Sequence, residues 1–282
     1  MDLRIVVCVK PIPDPENYAA IQIDPVTKTI VRTGIKNVLN PVDKNAIEIA
    51  LKIKEKHGGK VTLISMAPPN TQDCILDGLA MGADEAYLLS DFKFAGADTL
   101  ATSYVLAEGI KKIGGADLVF TATESGDGAT AQVSSQIGEW LEMPHLWGVI
   151  EMNYDDLDNL QIKTKVENGY MEWIGKAPMV MAIARELNKP RFASIMNVMK
   201  AKKKPFTVWG YDDFSGIDDK FVGLTGSPTQ PGDLVTPDMS RRGEKVEGEL
   251  EEQVAFILGK LRASGINVDN FAIGCDVKGG QA

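Results

Sequence analysis

Histidine and cysteine are scarce in these 282 residues, and no long apolar run interrupts them. The two histidines, His57 and His145, stand alone, which leaves almost no material for a histidine metal site or a Ser–His–Asp triad. The three cysteines, Cys8, Cys74 and Cys275, are widely separated and in no C-x-x-C pair. Neither a disulfide framework nor a zinc knuckle is expected, and a reducing compartment is. No apolar stretch reaches the ~18 residues of a membrane span. The N-terminus shows no basic region or small-residue cleavage site of a signal peptide, so a cytoplasmic location is expected. A G-x-x-x-x-G-K-[ST] loop is missing too, which disfavours phosphoryl transfer. Basic residues number 30 against 39 acidic ones, a formal net charge of −9. A surface of that sign repels phosphate backbones and argues against general nucleic-acid binding.

What is present is alternation. Residues 3–9 form a short β-branched run, the pattern of a strand buried on both faces. The prolines of Lys10-Pro11-Ile12-Pro13-Asp14-Pro15 then enforce an extended loop. Residues 21–24 and 29–32 read as a small hairpin. Asn40-Pro41-Val42-Asp43 is a strong helix start, with Asn40 at N-cap, Pro41 at N1 and Asp43 at the positive helix end. Strands follow at 60–66, 86–89 and 117–121. Helices are expected after Asn70 or Thr71, after Asp98, and over Val133 to Trp140. Strand–helix alternation of this kind predicts βαβ units around a mostly parallel sheet covered on both faces. A hairpin about Asn168-Gly169 and a buried strand at 178–184 follow. Residues 205–243 are rich in Gly, Pro and Asp. Helical order returns at 244–262, either folding back on its own domain or leaving it as an arm. The division expected is a 1–204 α/β domain and a 205–282 C-terminal arm with a helix.

Ligands of open α/β sheets bind beyond the carboxyl ends of the strands. The richest loop there is Ala122-Thr123-Glu124-Ser125-Gly126-Asp127-Gly128-Ala129-Thr130-Ala131-Gln132-Val133. Its glycines let backbone approach a ligand, and the helix start that follows attracts phosphate. The alternative is a plain strand-to-helix turn with Asp127 as N-cap. Asn40 and Asp43 likewise read as capping residues, and Cys8 and Met66 as core at strand ends. Gly126-x-Gly128-x-x-Ala131 matches the dinucleotide fingerprint only loosely, because that motif belongs after the first strand. A second stretch, Arg191-Phe192-Ala193-Ser194-Ile195-Met196-Asn197, precedes a lysine run ending at Lys204-Pro205. It reads as an exposed loop suited to docking on a protein partner.

Together these motifs resemble the β subunit of electron-transfer flavoproteins from about residue 2 to residue 205. They are Val7-Cys8-Val9-Lys10, Asn40-Pro41-Val42-Asp43, Ala80-Met81-Gly82-Ala83-Asp84, Asp127 to Gln132, Val166 to Glu172, Pro178 to Ala182 and Pro190-Arg191 to Lys204-Pro205. The resemblance implies the adenine nucleotide alpha-hydrolase-like fold and a heterodimer with an α subunit around which the arm wraps. It implies a nucleotide in this subunit, AMP in simple carriers and FAD in electron-bifurcating members. Lys10-x-x-Pro13-Asp14, Asp43 after Asn40-Pro41, and Phe94 to Thr99 look like the bifurcating or nitrogen-fixation-associated branch. Such members take hydride from NADH and divide electrons between ferredoxin or flavodoxin and an acyl-CoA dehydrogenase-type partner. Two departures are Ala129, where that branch usually has an acidic residue, and Glu124-Ser125 for the commoner Gln-Ala. By position, Asp127 to Gln132 would hold phosphate and ribose, and Asn40 to Asp43 with Met66 the adenosine. Cys8 and Ala122 to Val133 complete that pocket, while Lys10, Pro13, Asp98 and Thr99 would lie on the flavin-ring side. Arg191–Asn197 would be the recognition loop. No side chain is implied as a general acid or base, and no metal. The rival from another class is a nucleotide-sensing regulatory module without flavin or α subunit.

Overall fold

The computed structural model describes residues 3–16, 22–23, 30–31, 36–230 and 243–268. In chain order its elements begin with β1 (Arg4–Cys8), β2 (Pro11–Pro13), β3 (Gln22–Ile23), β4 (Ile30–Val31), β5 (Asn37–Leu39) and α1 (Pro41–His57). β6 (Lys60–Met66), α2 (Gln72–Met81), β7 (Glu85–Leu89), α3 (Thr99–Lys112), β8 (Leu118–Ala122) and α4 (Val133–Trp140) follow. Then come β9 (His145–Asn153), β10 (Leu160–Val166), β11 (Gly169–Gly175), β12 (Met179–Ile183), α5 (Ile195–Ala201), β13 (Phe206–Trp209) and α6 (Leu250–Ala263). Cys275 and the loop of the β3–β4 hairpin lie outside the described residues, although the pairing of β3 with β4 is described.

One nine-stranded sheet runs β11-β10-β9-β12-β8-β1-β6-β7-β13. It is parallel from β9 to β13 and antiparallel at β9-β10-β11. Alternate residues of β1 explain why that strand is apolar throughout. Ile5 and Val7 face a core shared with α1 and α2, while Val6 and Cys8 face a second core shared with α3 and α4. The fold is thus α/β, a mostly parallel sheet with helices on both faces. Among the described residues no helix is long and apolar enough to cross a membrane.

The strand order reverses at β1. From β1 the chain moves to β6 and β7 on one side, then returns to β8 on the other. Connections that leave in opposite directions open a crevice at the carboxyl ends of β1 and β8.

Three elements depart from the sequence expectation. β9 follows α4 with an irregular burial pattern and a register shift, so no clean period announces it. Ile195–Ala201 is a helical turn rather than loop, begun by Ser194, whose side chain accepts from the Asn197 N–H at 3.2 Å. β13 extends the sheet beyond residue 204. Residues 209–221 also stay against the sheet and its helices, because the aromatic residues among them have partners there. Trp209 lies 4.5 Å from Tyr87 between ring centroids, and Phe221 packs on Tyr104 and Trp140 at 5.3 and 5.0 Å. The chain accordingly divides between Leu234 and Val235 rather than after residue 204. In the second unit α6 starts at Leu250, after Gly248 at φ +131°, instead of at 244.

Phe120, at the centre of β8, is fully buried. Truncation to alanine is expected to cost about 3–5 kcal/mol of unfolding free energy, read from urea denaturation.

Candidate functional site

The crevice at the head of β1 and β8 opens into a cavity of about 1040 Å³. Its floor is the end of β1 and the start of the following loop, Cys8 to Pro11. One wall is the loop after β8 with the start of α4, the other the loop after β7, Leu89 to Thr99.

Asn40 and Asp43 sit at the helix start as read from sequence, but their side chains are not caps. No side-chain bond caps α1. Asn40 Nδ2 donates to Asp43 Oδ1 at 2.9 Å and to the Glu124 carbonyl at 3.1 Å, while its Oδ1 accepts from the Gly126 N–H at 3.3 Å. Asp43 Oδ2 accepts from the Lys10 N–H at 2.6 Å. Two buried side chains therefore tie the β1 loop, the head of α1 and the Gly-rich loop into one unit. Burial pushes the Asp43 carboxyl up to about 7, against the bonds from Lys10 and Asn40 that pull it down. Burial, with Asp43 nearby, also pushes the Cys8 thiol up, so Cys8 is apolar lining rather than a nucleophile.

Asp127 is no helix cap either. It accepts from Lys10 Nζ at 2.7 Å, and Lys10 also reaches Ser125 Oγ at 3.2 Å. Burial pushes the Asp127 carboxyl up, but the bond and charge of Lys10 outweigh it and hold it below its ordinary value. Lys10 thus stands with the Gly-rich loop, and among the described residues it is the one lysine or arginine lining the cavity. Ala129 and Ala131 take left-handed backbone at φ 47° and 56°. Such conformations cost on the order of 1–3 kcal/mol in residues other than glycine and cluster at ligand sites. Alternating hands of this sort turn successive N–H groups toward a common side, an anion-binding arrangement.

Across the cavity Asp98 caps α3 and is held by later chain. Its Oδ2 accepts from Thr229 Oγ1 at 2.6 Å and Thr229 N at 3.0 Å, and its N–H donates to Ser227 Oγ at 2.8 Å. Burial pushes the Asp98 carboxyl up, but the Thr229 and backbone bonds outweigh it and leave it below the usual range. Thr99 donates to Gln132 Oε1 at 2.9 Å, pinning α3 to the start of α4. Met66, Ala122, Thr123, Glu124, Ser125, Gly128, Thr130, Ala131, Gln132 and Val133 line the same space. Gly126, Asp127 and Ala129 shape the loop without lining it. Pro13 is buried in β2 against Asn37, and Pro41 and Val42 also lie off the cavity.

Residues 27–213 match the family model described as electron transfer flavoprotein domain. The chain belongs to the electron transfer flavoprotein family. It is 41% identical to electron transfer flavoprotein subunit beta of Clostridium acetobutylicum over 92% of this chain and 98% of the relative. Caffeyl-CoA reductase-Etf complex subunit CarD of Acetobacterium woodii is 40% identical over 92% and 98%, and protein FixA of Azorhizobium caulinodans 37% over 86% and 87%.

This family's name implies a flavin or related nucleotide, and the cavity's unused groups fit one. Ser134 Oγ, buried in its lining, has no hydrogen-bond partner, and neither has the neighbouring Gln136 Oε1. Buried polar atoms left unpaired cost free energy that a polar ligand can recover. Ser134, Ser227 and Thr229 had no sequence signal, since each joins the site only through the folded chain. A hydroxyl one turn into a helix and a threonine far along an irregular stretch look ordinary in one dimension.

Because the folded Asp43 holds its proton more tightly than an ordinary carboxyl near 4, the folded state binds more protons between the two values. Asp43 therefore lowers stability as pH rises from about 4 to about 7. In nucleotide-free protein, Asp43→Asn is expected to flatten the fall in melting temperature over that window. An unchanged slope would show that Asp43 titrates normally.

Proposed function

We propose that this chain is the β subunit of a heterodimeric electron transfer flavoprotein and holds FAD in the cavity, with NADH as electron donor. The carrying observation is the reach of the cavity. It extends from the Gly-rich loop to the Phe92–Thr99 loop, and about 1040 Å³ lies at the top of the range of small-molecule sites. FAD contains AMP entire and adds a second phosphate, a ribityl chain and a three-ring system, so it uses the far wall that AMP leaves empty.

The residues divide the work by chemistry. Backbone N–H groups of residues 130–134, with Lys10, face the phosphates, and Ser134 offers its unpaired hydroxyl. The Asn40–Asp43 pair holds that loop in register against the floor. Phe94, Asp98 and Thr99 form the wall nearest the ring system. When bound, the isoalloxazine would supply the redox chemistry for hydride from NADH and for one-electron transfer toward ferredoxin or flavodoxin and, through the α subunit, a dehydrogenase. The chain's part is to position the ring and to keep water from it.

The segment 192–199 is the docking surface for an acyl-CoA dehydrogenase-type partner. Its apolar residues are exposed, and the lysines beside it favour an acidic surface. The chain after Leu234, with its apolar series Leu250, Val254, Ile257 and Leu261, is the arm that meets the α subunit.

Acid extraction of the co-expressed heterodimer is expected to give two FAD, with bleaching by NADH. One FAD plus one AMP, without bleaching, would make this chain the AMP-holding subunit of a simple carrier. Gly128→Val is expected to expel the β-subunit nucleotide while sparing the α-subunit flavin. A Cβ at Gly128 already lies 3.3 Å from Ser125 Oγ and 3.8 Å from Lys10 Nζ, so further methyls crowd the loop. Retention of both nucleotides would contradict this placement of the loop.

A further inference from the structure

The chain leaving β12 is fastened to one face of α1. Asn45 Nδ2 donates to the carbonyls of Arg185 and Asn188 at 3.2 and 2.8 Å, and Asn188 Nδ2 returns a bond to the Asn45 carbonyl at 3.0 Å. The buried Glu48 accepts three bonds from Arg191: backbone N–H at 3.0 Å, Nε at 2.7 Å and Nη2 at 3.1 Å. Glu55, two turns further on, takes Nη1 and Nη2 of the same guanidinium, the latter at 3.2 Å. A planar fork held by two carboxylates, one of them buried, has little freedom to swing.

Just past this joint the chain turns apolar and exposed. Phe192 is 99% and Ile195 84% exposed, with Met196 and Met199 beside them. The far end is fixed as well. Ala201 is buried, and Lys204 Nζ donates to the Leu79 carbonyl at the end of α2. Lys200, Lys202 and Lys203 are exposed, a local positive rim on a chain of net charge −9.

We infer that Arg191 is the positioning residue of a preformed apolar prong, residues 192–200, which enters an apolar depression with an acidic rim on the dehydrogenase. The inference rests on the docking role proposed above and goes beyond it. Arg191 acts through α1, which takes its backbone N–H and four of its five guanidinium N–H donors. Its contribution is order. Side chains fixed before the encounter lose little freedom on binding, whereas a slack segment loses it at that moment.

The test uses the co-expressed heterodimer, with hydrogen exchange read across residues 192–200 and affinity measured on an immobilised short-chain acyl-CoA dehydrogenase. Arg191→Gln is expected to speed exchange in that segment and raise Kd about tenfold, the scale of several side chains ordered on binding. Nucleotide content should not change. Arg191→Lys keeps the charge without the fork and should recover part of the loss. Should Arg191→Gln fail to fold, Glu55→Gln loosens only the exposed half of the joint, with an expected rise of about two- to threefold. Unchanged exchange in these variants would overturn the inference. So would faster exchange with parental Kd in a protein whose Ile195→Ala variant binds weakly. If Ile195→Ala leaves Kd unchanged, the docking role itself falls, and the partner assigned to the prong falls with it.

Discussion

The reversal of strand order at β1 is the constraint from which the site follows. With β6 on one side of β1 and β8 on the other, the chain leaves these strands in opposite directions and cannot cover the space between their carboxyl ends. Backbone polar groups exposed in such a crevice need partners other than the sheet. Part of the answer is internal, the Asn40–Asp43 pair bonded to the Lys10 N–H and to the Glu124 and Gly126 backbone. The unanswered part is the Ser134 hydroxyl, buried in the cavity lining without a partner.

Charge in the cavity is arranged by burial as much as by composition. Asp43 is buried and pushed up toward neutrality, so near pH 7 it adds less negative charge to the cavity lining than an ordinary aspartate. Asp127 carries full charge but is paired with Lys10, and Asp98 is covered by Thr229. Asp43, Asp127 and Asp98 are thus each neutralised or engaged, while Glu124 keeps an exposed carboxylate on the same lining.

Elements announced by local chemistry were legible in the sequence. β6 at Lys60–Met66 and the β10–β11 hairpin about Asn168-Gly169 stand where periodicity and turn residues put them. β13 was hidden because four residues in a glycine- and proline-rich stretch carry no period, and its place is set by Tyr87 and Leu89 of β7 alongside. The role of Arg191 was hidden for a related reason. In a lysine-rich segment it looks like one more exposed cation, and only the fold brings Glu48 and Glu55 to meet it.

By itself the sequence determined the α/β class, the strands β1, β6, β7, β8 and β12, the Gly-rich loop and the family, because all of these are written in short contiguous patterns. Tertiary structure alone decided which polar side chains are partners and which are left over. Asn40 and Asp43 read as helix caps, and Asp127 as another, until the crevice set them against Lys10 and residues 124–126. The physical reason is that a hydrogen bond between residues more than eighty positions apart leaves no trace in local spacing. Its energy depends on burial, which exists only once the sheet has formed.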